Sequence, residues 1–302
     1  MSGNGIVGRY RRTLAVLCVA AALAALGGCG KSAWFGVKRK GIITMAPHLT
    51  ETVFALGQGP RVIAVGSYDD YPRRVRALPK VGGHIDPDLE KITMLAPELL
   101  ILGGEHQQVS EYAALNQLPI LNVHMDSFET IDQGIGTLGQ ALGCVKEANR
   151  LRLQFQSEIQ ALRERLKDVK PLQVLIITTR QTHDLNTLYT AGGSSFVSEM
   201  VELAGGENIY RDVDKPYLEA SKETVVMKAP EVILEFHCGE SLTDNQQQAF
   251  YNDWMSLSTL PAVRCGAIYL ILESYGLRPG PRIVEVARRI AKLLHAEEMA
   301  PA

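Results

Sequence analysis

The segment EKITMLAPELLIL, residues 90–102, returns further along the chain as ETVVMKAPEVILE, residues 223–235. The aligned identities are Glu90 with Glu223, Met94 with Met227, Ala96 with Ala229, Pro97 with Pro230, and Glu98 with Glu231. Each copy reads as a short helix followed by an apolar run, which predicts one helix and then one buried strand. A fainter echo links residues 49–59 with residues 196–206. The duplication indicates a chain built from two related lobes.

Both leading glutamates fall in the first turn of their predicted helices. The stretch DPD, residues 86–88, supplies a capping carboxylate followed by Pro at the first turn, and Ser221 supplies the cap in the second copy. The Ala-Pro pair after each helix ends it. The helix dipole stabilises a carboxylate in the first turn by about 0.3–1 kcal/mol. Helix stability alone would therefore account for Glu90 and Glu223.

Short apolar runs alternate with helical stretches over most of the chain, which predicts an α/β fold. The predicted strands cover residues 41–45, 62–65, 99–102 and 120–123, and then 174–178, 232–236 and 268–272. The predicted helices cover residues 50–56, 89–95, 109–116 and 131–142, and then 196–204, 222–227 and 281–294. We therefore predict two Rossmann-like α/β lobes, residues 41–144 and 171–296, with a ligand cleft between them and a tail at 297–302.

A different pattern separates the two lobes. Apolar residues recur at steps of three and four between Ala148 and Val169, and residues 145–169 contain neither Gly nor Pro. This pattern predicts one long amphipathic helix, about 37 Å at 1.5 Å per residue, within a linker at residues 145–170. A coiled-coil arm for dimerisation is the alternative, but the heptads last only three to four turns. We expect a monomer.

The N-terminal segment is typical of an exported lipoprotein. Three Arg residues precede an apolar run, residues 13–26, which is shorter than the roughly 20 residues that a membrane span needs. The run ends in LGGC, with Cys29 at the position that takes the lipid. We expect a signal peptide at residues 1–28, a lipid-anchored tether at residues 29–40, and a location in the periplasm or at the outer face of the cell envelope. The lipid would be the chain's sole attachment to a membrane. A plain signal peptide is the alternative.

Charge and motifs exclude several functions. The formal charge is −2, and it becomes more negative without residues 1–28, which hold three Arg and no acid, so a nucleic-acid partner is not expected. The chain contains no GxSxG, HExxH or P-loop pattern. GIGTLG, residues 134–139, satisfies GxGxxG but does not directly follow a predicted strand. We expect no enzymatic activity.

Three cysteines remain beyond the signal and the lipid position: Cys144, Cys238 and Cys265. We expect buried free thiols, and a Cys238–Cys265 disulfide, which would suit an oxidising compartment, is the alternative.

Several stretches together resemble the helical-linker class of ABC-transporter substrate-binding proteins, which carry cobalamin, haem and ferric siderophores. They are MAPHLTETVFALG, VGSYDDYP, LPKVGG followed by DLEKI, AGGENIYRD leading to SKETV, and RPGPRIVE, in that order on either side of the linker helix. The resemblance covers residues 41–294 and is strongest to the cobalamin-binding members. It implies that each lobe presents one carboxylate, Glu90 or Glu223, to a dimeric permease that works with ATPase subunits.

The resemblance also implies a cleft that holds a flat macrocycle. Tyr68, Tyr189, Tyr217 and Tyr275 match aromatic ligand-contact positions, and His84 matches a fifth position, which is Trp in the cobalamin-binding relative. Aromatic side chains cover such a ligand at low entropic cost. We expect a corrinoid as the bound ligand, with haem or a ferric siderophore as alternatives, and no resident cofactor.

The chain departs from its relatives at three cleft positions. Gly103 stands at an aromatic position, and Ser274 replaces a carboxylate. Haem-binding relatives place a ligating Tyr where this chain has Gly83. His84 offers an imidazole that can coordinate cobalt or iron, and a hydrogen-bonding role is the simpler alternative.

A bare-metal carrier is a further alternative. Five histidines fall near predicted strand ends: His48, His106, His124, His183 and His237. Three His and a carboxylate can hold Zn²⁺ or Mn²⁺, although no two of these histidines have close ligand spacing.

Overall fold

The computed structural model describes residues 41–300, and all of them belong to one compact unit. Cys29, the signal peptide and the tether lie outside the described residues. No helix in the described range is long and apolar enough to cross a bilayer.

The first lobe is built on a four-stranded parallel sheet. Its strands are β1 (Ile42–Thr44), β2 (Val62–Val65), β3 (Leu99–Gly103) and β4 (Ile120–Val123), in the order β2-β1-β3-β4. Its helices are α1 (Pro47–Ala55), α2 (Leu89–Leu95), α3 (Gln107–Leu115) and α4 (Phe128–Ala141), with 3₁₀ turns at Gly59–Arg61 and Arg73–Ala77. Each predicted element of this lobe is present, and most ends differ from the prediction by three residues or fewer.

The second lobe is built on a six-stranded mixed sheet. Its strands are β5 (Leu172–Thr179), β6 (Leu188–Ala191), β7 (Gly206–Asn208), β8 (Tyr217–Ala220), β9 (Val232–Phe236) and β10 (Ile268–Ile271). The order is β10-β9-β5-β6-β8, with β7 paired to β5, and β6 runs antiparallel to both of its neighbours. The sequence predicted the three parallel core strands β5, β9 and β10 but missed β6, β7 and β8.

A long helix, α5 (Val145–Leu166), connects the lobes in sequence. It ends three residues before the predicted Val169, which leaves 22 residues and a length of about 33 Å. Its buried residues keep the predicted spacing, for example Phe155, Ile159 and Leu162. Contact with α4 is close, because a Cβ added at Gly139 would lie 2.2 Å from the Cβ of Ala148.

The remaining helices all lie in the second lobe. They are α6 (Phe196–Leu203), α7 (Lys222–Lys228), α8 (Asp244–Trp254), α9 (Pro261–Arg264) and α10 (Ile283–Leu294), with a 3₁₀ turn at Met255–Leu257. Helix α5 also packs against α6 and α10. One apolar cluster therefore runs from the first lobe through α5 into the second lobe.

The two copies of the repeat have nearly the same backbone. Helices α2 and α7 each have seven residues, and each ends in a left-handed alanine, Ala96 or Ala229, with φ of 45° in both. Ser221 caps α7 as predicted. The prediction for α2 was wrong in detail, because Asp88 is the cap, whereas Asp86 accepts a hydrogen bond from the Gly83 amide at 3.2 Å.

Candidate functional site

A cavity of about 550 Å³ opens in the first lobe, at the carboxyl ends of β1, β2 and β3. Ligands of α/β proteins bind at this edge of the sheet. Two of the predicted contact residues, Tyr68 and His84, line the cavity. Gly83 and Gly103, the two glycines that the sequence analysis assigned to the cleft, also line it.

Two imidazoles meet at one side of this cavity. The rings of His84 and His106 have centroids 4.4 Å apart. His84 is exposed, whereas His106 is buried and its Nε2 has no hydrogen-bond partner among the described residues. Burial lowers the pKa of His106, and the adjacent His84 adds to that effect. His106 is therefore neutral at neutral pH, with an unpaired ring nitrogen beside the cavity.

His48 lies against Gly103. A Cβ added at Gly103 would lie 3.2 Å from His48 Cε1, so the imidazole stands close to where a larger residue at 103 would project. Burial, and secondarily the charge of Arg278, lowers the pKa of His48 to about 4. We predicted His48 from the sequence only as a possible ligand of a bare metal. Its position beside Gly103 was not predicted.

Tyr68 lies over Gly83. A Cβ at residue 83 would be 3.2 Å from Tyr68 Cε2 and 2.8 Å from Asp86 Oδ1. A tyrosine at residue 83 would thus need Tyr68 to move. The arrangement leaves Tyr68, itself mostly exposed, as the aromatic surface at this point of the cavity.

A buried carboxyl group also lines the cavity. Asp69 accepts a short hydrogen bond from the Thr50 hydroxyl, and the backbone carbonyl of Asp69 accepts one from Lys80 Nζ at 2.5 Å. Its Oδ2 has no partner in the described structure. Burial raises the pKa of Asp69 to about 7, although the Thr50 hydrogen bond opposes the rise. Asp69 was not predicted as a site residue, because no sequence pattern marks a buried carboxyl group.

Two of the predicted contact residues, Tyr189 and Tyr217, lie on one face of the second-lobe sheet. Tyr189 on β6 lies opposite Glu219 on β8, and Tyr217 lies two residues from Glu219. Because side chains alternate along a strand, Tyr189 and Tyr217 project from the same face as diagonal neighbours. Both rings are partly exposed, and burial raises the pKa of Tyr217, which keeps its hydroxyl protonated.

Tyr275 belongs to a contact between the lobes. The Arg282 guanidinium lies 4.0 Å from the Tyr275 ring and 3.8 Å from the Tyr71 ring. Arg282 also donates two hydrogen bonds to Glu51, at 2.6 and 2.8 Å. Arg278 adds hydrogen bonds to Asp70 at 2.6 Å and to Glu51 at 3.3 Å. We call Glu51, Asp70, Tyr71, Tyr275, Arg278 and Arg282 the interlobe clamp.

A buried ionic network occupies the carboxyl ends of β5 and β9 in the second lobe. Arg180 and Glu235 have fully buried side chains and are paired, and Arg180 also donates to Asp253 at 2.7 Å. The remaining guanidinium hydrogen bonds go to the carbonyls of Gln181 and Phe250. Trp254 Nε1 donates to Glu235 at 3.1 Å. With these partners Arg180 has no donor nitrogen left for a ligand.

The five histidines considered as ligands of a bare metal do not form one cluster. His48 and His106 line the first-lobe cavity, whereas His183 contacts Asp253 and His237 packs on Phe250 in the second lobe. Among residues 41–300, no group of three or more His, Cys, Asp or Glu side chains is arranged to hold a metal ion.

The two glutamates that we predict to dock to a permease are exposed. Neither Glu90 nor Glu223 forms an ion pair among the described residues. The amide of Glu223 and the hydroxyl of Ser221 lower the pKa of the Glu223 carboxyl, so it is ionised at neutral pH. Both helices therefore carry an exposed carboxyl group in their first turn.

The three cysteines of the lobes are free thiols. Cys144 is buried, and burial raises the pKa of the half-buried Cys238 to about 12. Cys265 is exposed, so the prediction of buried free thiols was wrong for this residue.

Fold and site together define a two-lobed solute-binding protein of the kind that works with ABC transporters. The chain belongs to the periplasmic binding protein family, whose model matches residues 42–275. The predicted class, with two lobes and a linker helix, is confirmed, and the family implies a periplasmic location and a small-molecule ligand.

Relatives place the chain in the cobalamin and haem class of that family. It is 28% identical over 267 residues to the vitamin B12-binding protein of Pectobacterium atrosepticum, covering 86% of this chain and 90% of that protein. The periplasmic vitamin B12 binding protein BtuF of Vibrio cholerae is 26% identical, with a TM-score of 0.70 over 85% of this chain and 97% of that chain. The periplasmic heme-binding protein RhuT from Roseiflexus is 25% identical, with a TM-score of 0.72 over 86% of this chain and 99% of that chain.

Proposed function

We propose that this protein captures a corrinoid between its lobes and delivers it to a dimeric ABC permease. The observation that carries the choice of ligand is the position of Tyr68 over Gly83. The residue at which haem-binding relatives carry their ligating tyrosine has no side chain here, and the neighbouring ring stands over it. Relatives named for vitamin B12 support the same choice.

The cavity chemistry suits a metal-bearing macrocycle. Tyr68 lines the cavity and offers an aromatic face to a flat ring system. Tyr189 and Tyr217 are not among the residues that line it, and we propose that they cover the ligand from the second lobe. His84 is exposed and lines the cavity, where its imidazole would supply a ligand for the cobalt or iron of the bound macrocycle. His106, in ring contact with His84, would hold that imidazole in place.

Tyr275 would act from the interlobe clamp. Its ring is stacked on Arg282, so we propose that it contributes to the cleft by positioning the second lobe and by offering a ring edge to the ligand. This differs from a freely exposed contact such as Tyr217.

Docking would use the repeated glutamates. A permease with twofold symmetry needs two equivalent contacts, and Glu90 and Glu223 provide one from each lobe at the start of nearly identical helices. Charge pairing of this kind sets orientation and association rate more than affinity. We propose that Cys29 carries the lipid that keeps the mature protein at the membrane after removal of residues 1–28.

The ligand proposal is tested by calorimetric titration of the mature protein with cyanocobalamin, cobinamide and haemin. We expect the corrinoids to bind, and Tyr217→Ala to weaken binding about tenfold or more through the loss of a buried aromatic contact. His124→Ala, at an exposed position outside the cavity, is the matched control for His84→Ala.

Haem is the second candidate, and the His84–His106 pair is the observation that favours it. In that case haemin would bind with the visible spectrum of a His-ligated iron, and His84→Ala would abolish that spectrum. Binding of haemin without either corrinoid would overturn the corrinoid proposal. Binding of Zn²⁺, without binding of cyanocobalamin, cobinamide or haemin, would overturn the proposal that the ligand is a macrocycle.

A further inference from the structure

The five identities of the repeat separate into residues that the fold requires and residues that it does not. Three pairs have a structural role. Ala96 and Ala229 form the left-handed helix ends, Pro97 and Pro230 are buried, Glu98 pairs with Arg61 at 2.8 Å, and Glu231 accepts a hydrogen bond from the Gln173 amide at 2.8 Å. These residues are repeated because the helix–strand unit is repeated.

The two methionines have no such role. Met94 is 72% exposed and Met227 is 77% exposed, although the neighbouring Ile92 and Val225 are completely buried and supply the apolar contacts of these helices. Of the five other methionines of the described chain, those at residues 45, 125, 200 and 299 are buried, and Met255 is less exposed, at 49%. At an exposed position in a helix, Gln or Lys would stabilise the helix as well as Met does, because the three have similar helix propensities.

Each methionine of the repeat lies beside a docking glutamate. Met94 follows Glu90 by four residues, and Met227 follows Glu223 by four residues, a spacing that places both side chains on one side of a helix. We call each pair a carboxylate–thioether patch. The molecule carries two such patches, one on each lobe, at the same place in the same unit.

We infer that Met94 and Met227 are contact residues for the permease, inserted into an apolar recess beside the basic group that receives each glutamate. The inference rests on the proposed docking role of Glu90 and Glu223 and adds the chemistry of the partner surface. That surface would be twofold symmetric, with a cation and an adjacent apolar recess in each half. A duplicated patch of one charge and one apolar side chain fits such a partner on both counts.

The two kinds of side chain would do different work. Carboxylates steer the encounter, but their contribution weakens with salt. Methionine has three rotatable bonds and a polarisable sulfur, so it adapts to a recess and adds buried apolar area, which slows dissociation. The permease must also let go after transport, and a flexible side chain can leave without breaking a hydrogen bond.

The test uses cells of the source organism in which the gene is replaced by full-length variants, with uptake of radiolabelled cyanocobalamin at limiting expression as the readout. Met94→Gln and Met227→Gln keep side-chain length and remove apolar character. We expect each to lower the initial uptake rate about threefold, and the double variant to lower it about tenfold, because each removes part of a buried methionine contact. Leu115→Gln, an exposed Leu on α3 outside both patches, should transport like the unaltered protein.

Calorimetry with cyanocobalamin should give unchanged affinity for every variant. The charge-reversed protein Glu90→Arg/Glu223→Arg separates the two proposals. Loss of uptake in that protein together with normal uptake by the double methionine variant would overturn the methionine contacts and leave the glutamate contacts standing. Normal uptake by both double variants would overturn the docking surface as a whole.

Discussion

The two lobes share one helix–strand unit but differ completely at the ends of their strands. In the first lobe the strand ends surround an open cavity lined by His48, His84 and His106. In the second lobe the corresponding edge is filled by the Arg180–Glu235–Asp253 network. The backbone of the unit and its exposed Glu and Met side chains are kept, whereas the side chains that would face a ligand have diverged. On the proposed function, this combination suits a partner with twofold symmetry and a ligand without it.

The largest effect should come from opening the second-lobe network. Arg180→Met leaves Glu235 as a buried charge without its main partner, which should lower the free energy of unfolding by about 3–5 kcal/mol. Urea unfolding monitored by circular dichroism measures this change. Arg180→Met/Glu235→Leu should recover part of the loss, since it removes both charges. A loss below about 1 kcal/mol in the single variant would show that the network contributes little to the stability of the second lobe.

The buried Asp69 of the first-lobe cavity should make the stability of the protein depend on pH. The pKa of Asp69, about 7, lies above its ordinary value, so the folded protein binds this proton more tightly than the unfolded chain does. Stability from this group is therefore greatest at acid pH and falls as pH rises towards about 7. Asp69→Asn should stabilise the protein more at pH 8 than at pH 5, by about 2 kcal/mol. Equal gains at the two pH values would contradict the buried, protonated carboxyl.

The interlobe clamp should contribute less to the free energy of unfolding than the buried network does. Glu51→Gln removes the charge that both Arg278 and Arg282 contact, and we expect a loss of about 1.5–3 kcal/mol in urea unfolding. Glu98→Gln is the matched control, because the Arg61–Glu98 pair is about 40% exposed on both sides and should contribute less than about 1 kcal/mol. If both variants lost the same amount, the clamp would be no more than a surface ion pair.

The smallest effect tests how alike the two copies are. Ala96 and Ala229 adopt the left-handed conformation, which costs a residue with a Cβ about 1–2 kcal/mol and costs Gly little. Ala96→Gly and Ala229→Gly should each stabilise the protein by about 0.5–1 kcal/mol, after the entropy of the added Gly in the unfolded chain. Opposite signs at the two sites would mean that the matching backbone angles conceal different surroundings.

Much of the fold was predictable because buried parallel strands and amphipathic helices carry strong periodic patterns. The strands β2, β4 and β9 were predicted to the residue. Strands β6 and β8 were missed because they have four residues each and a partly exposed pattern with no continuous apolar run. Helix α8 was missed because its sequence is polar, yet Thr243 and Gln246 form a capping box that the T-x-x-Q spacing signals.

The site was predictable only in pieces. Tyr68 and His84 were named from the resemblance and do line one cavity. Glu51 and the arginines of RPGPR were not recognised as partners, since nothing in a single sequence links a helix near one end of the chain to a loop near the other. The unpaired nitrogen of His106 and the raised pKa of Asp69 depend on burial, which residue spacing alone does not reveal.

The clamp and the continuous core through α5 bear on transport kinetics. Because Glu51 and Arg282 and a shared apolar core join the lobes, we expect their separation to change little between the empty and the loaded protein. On the proposed function, both forms then present the same pair of patches to the permease. Empty protein should therefore act as a competitive inhibitor of its own transporter, and uptake should pass through a maximum as the ratio of binding protein to ligand rises.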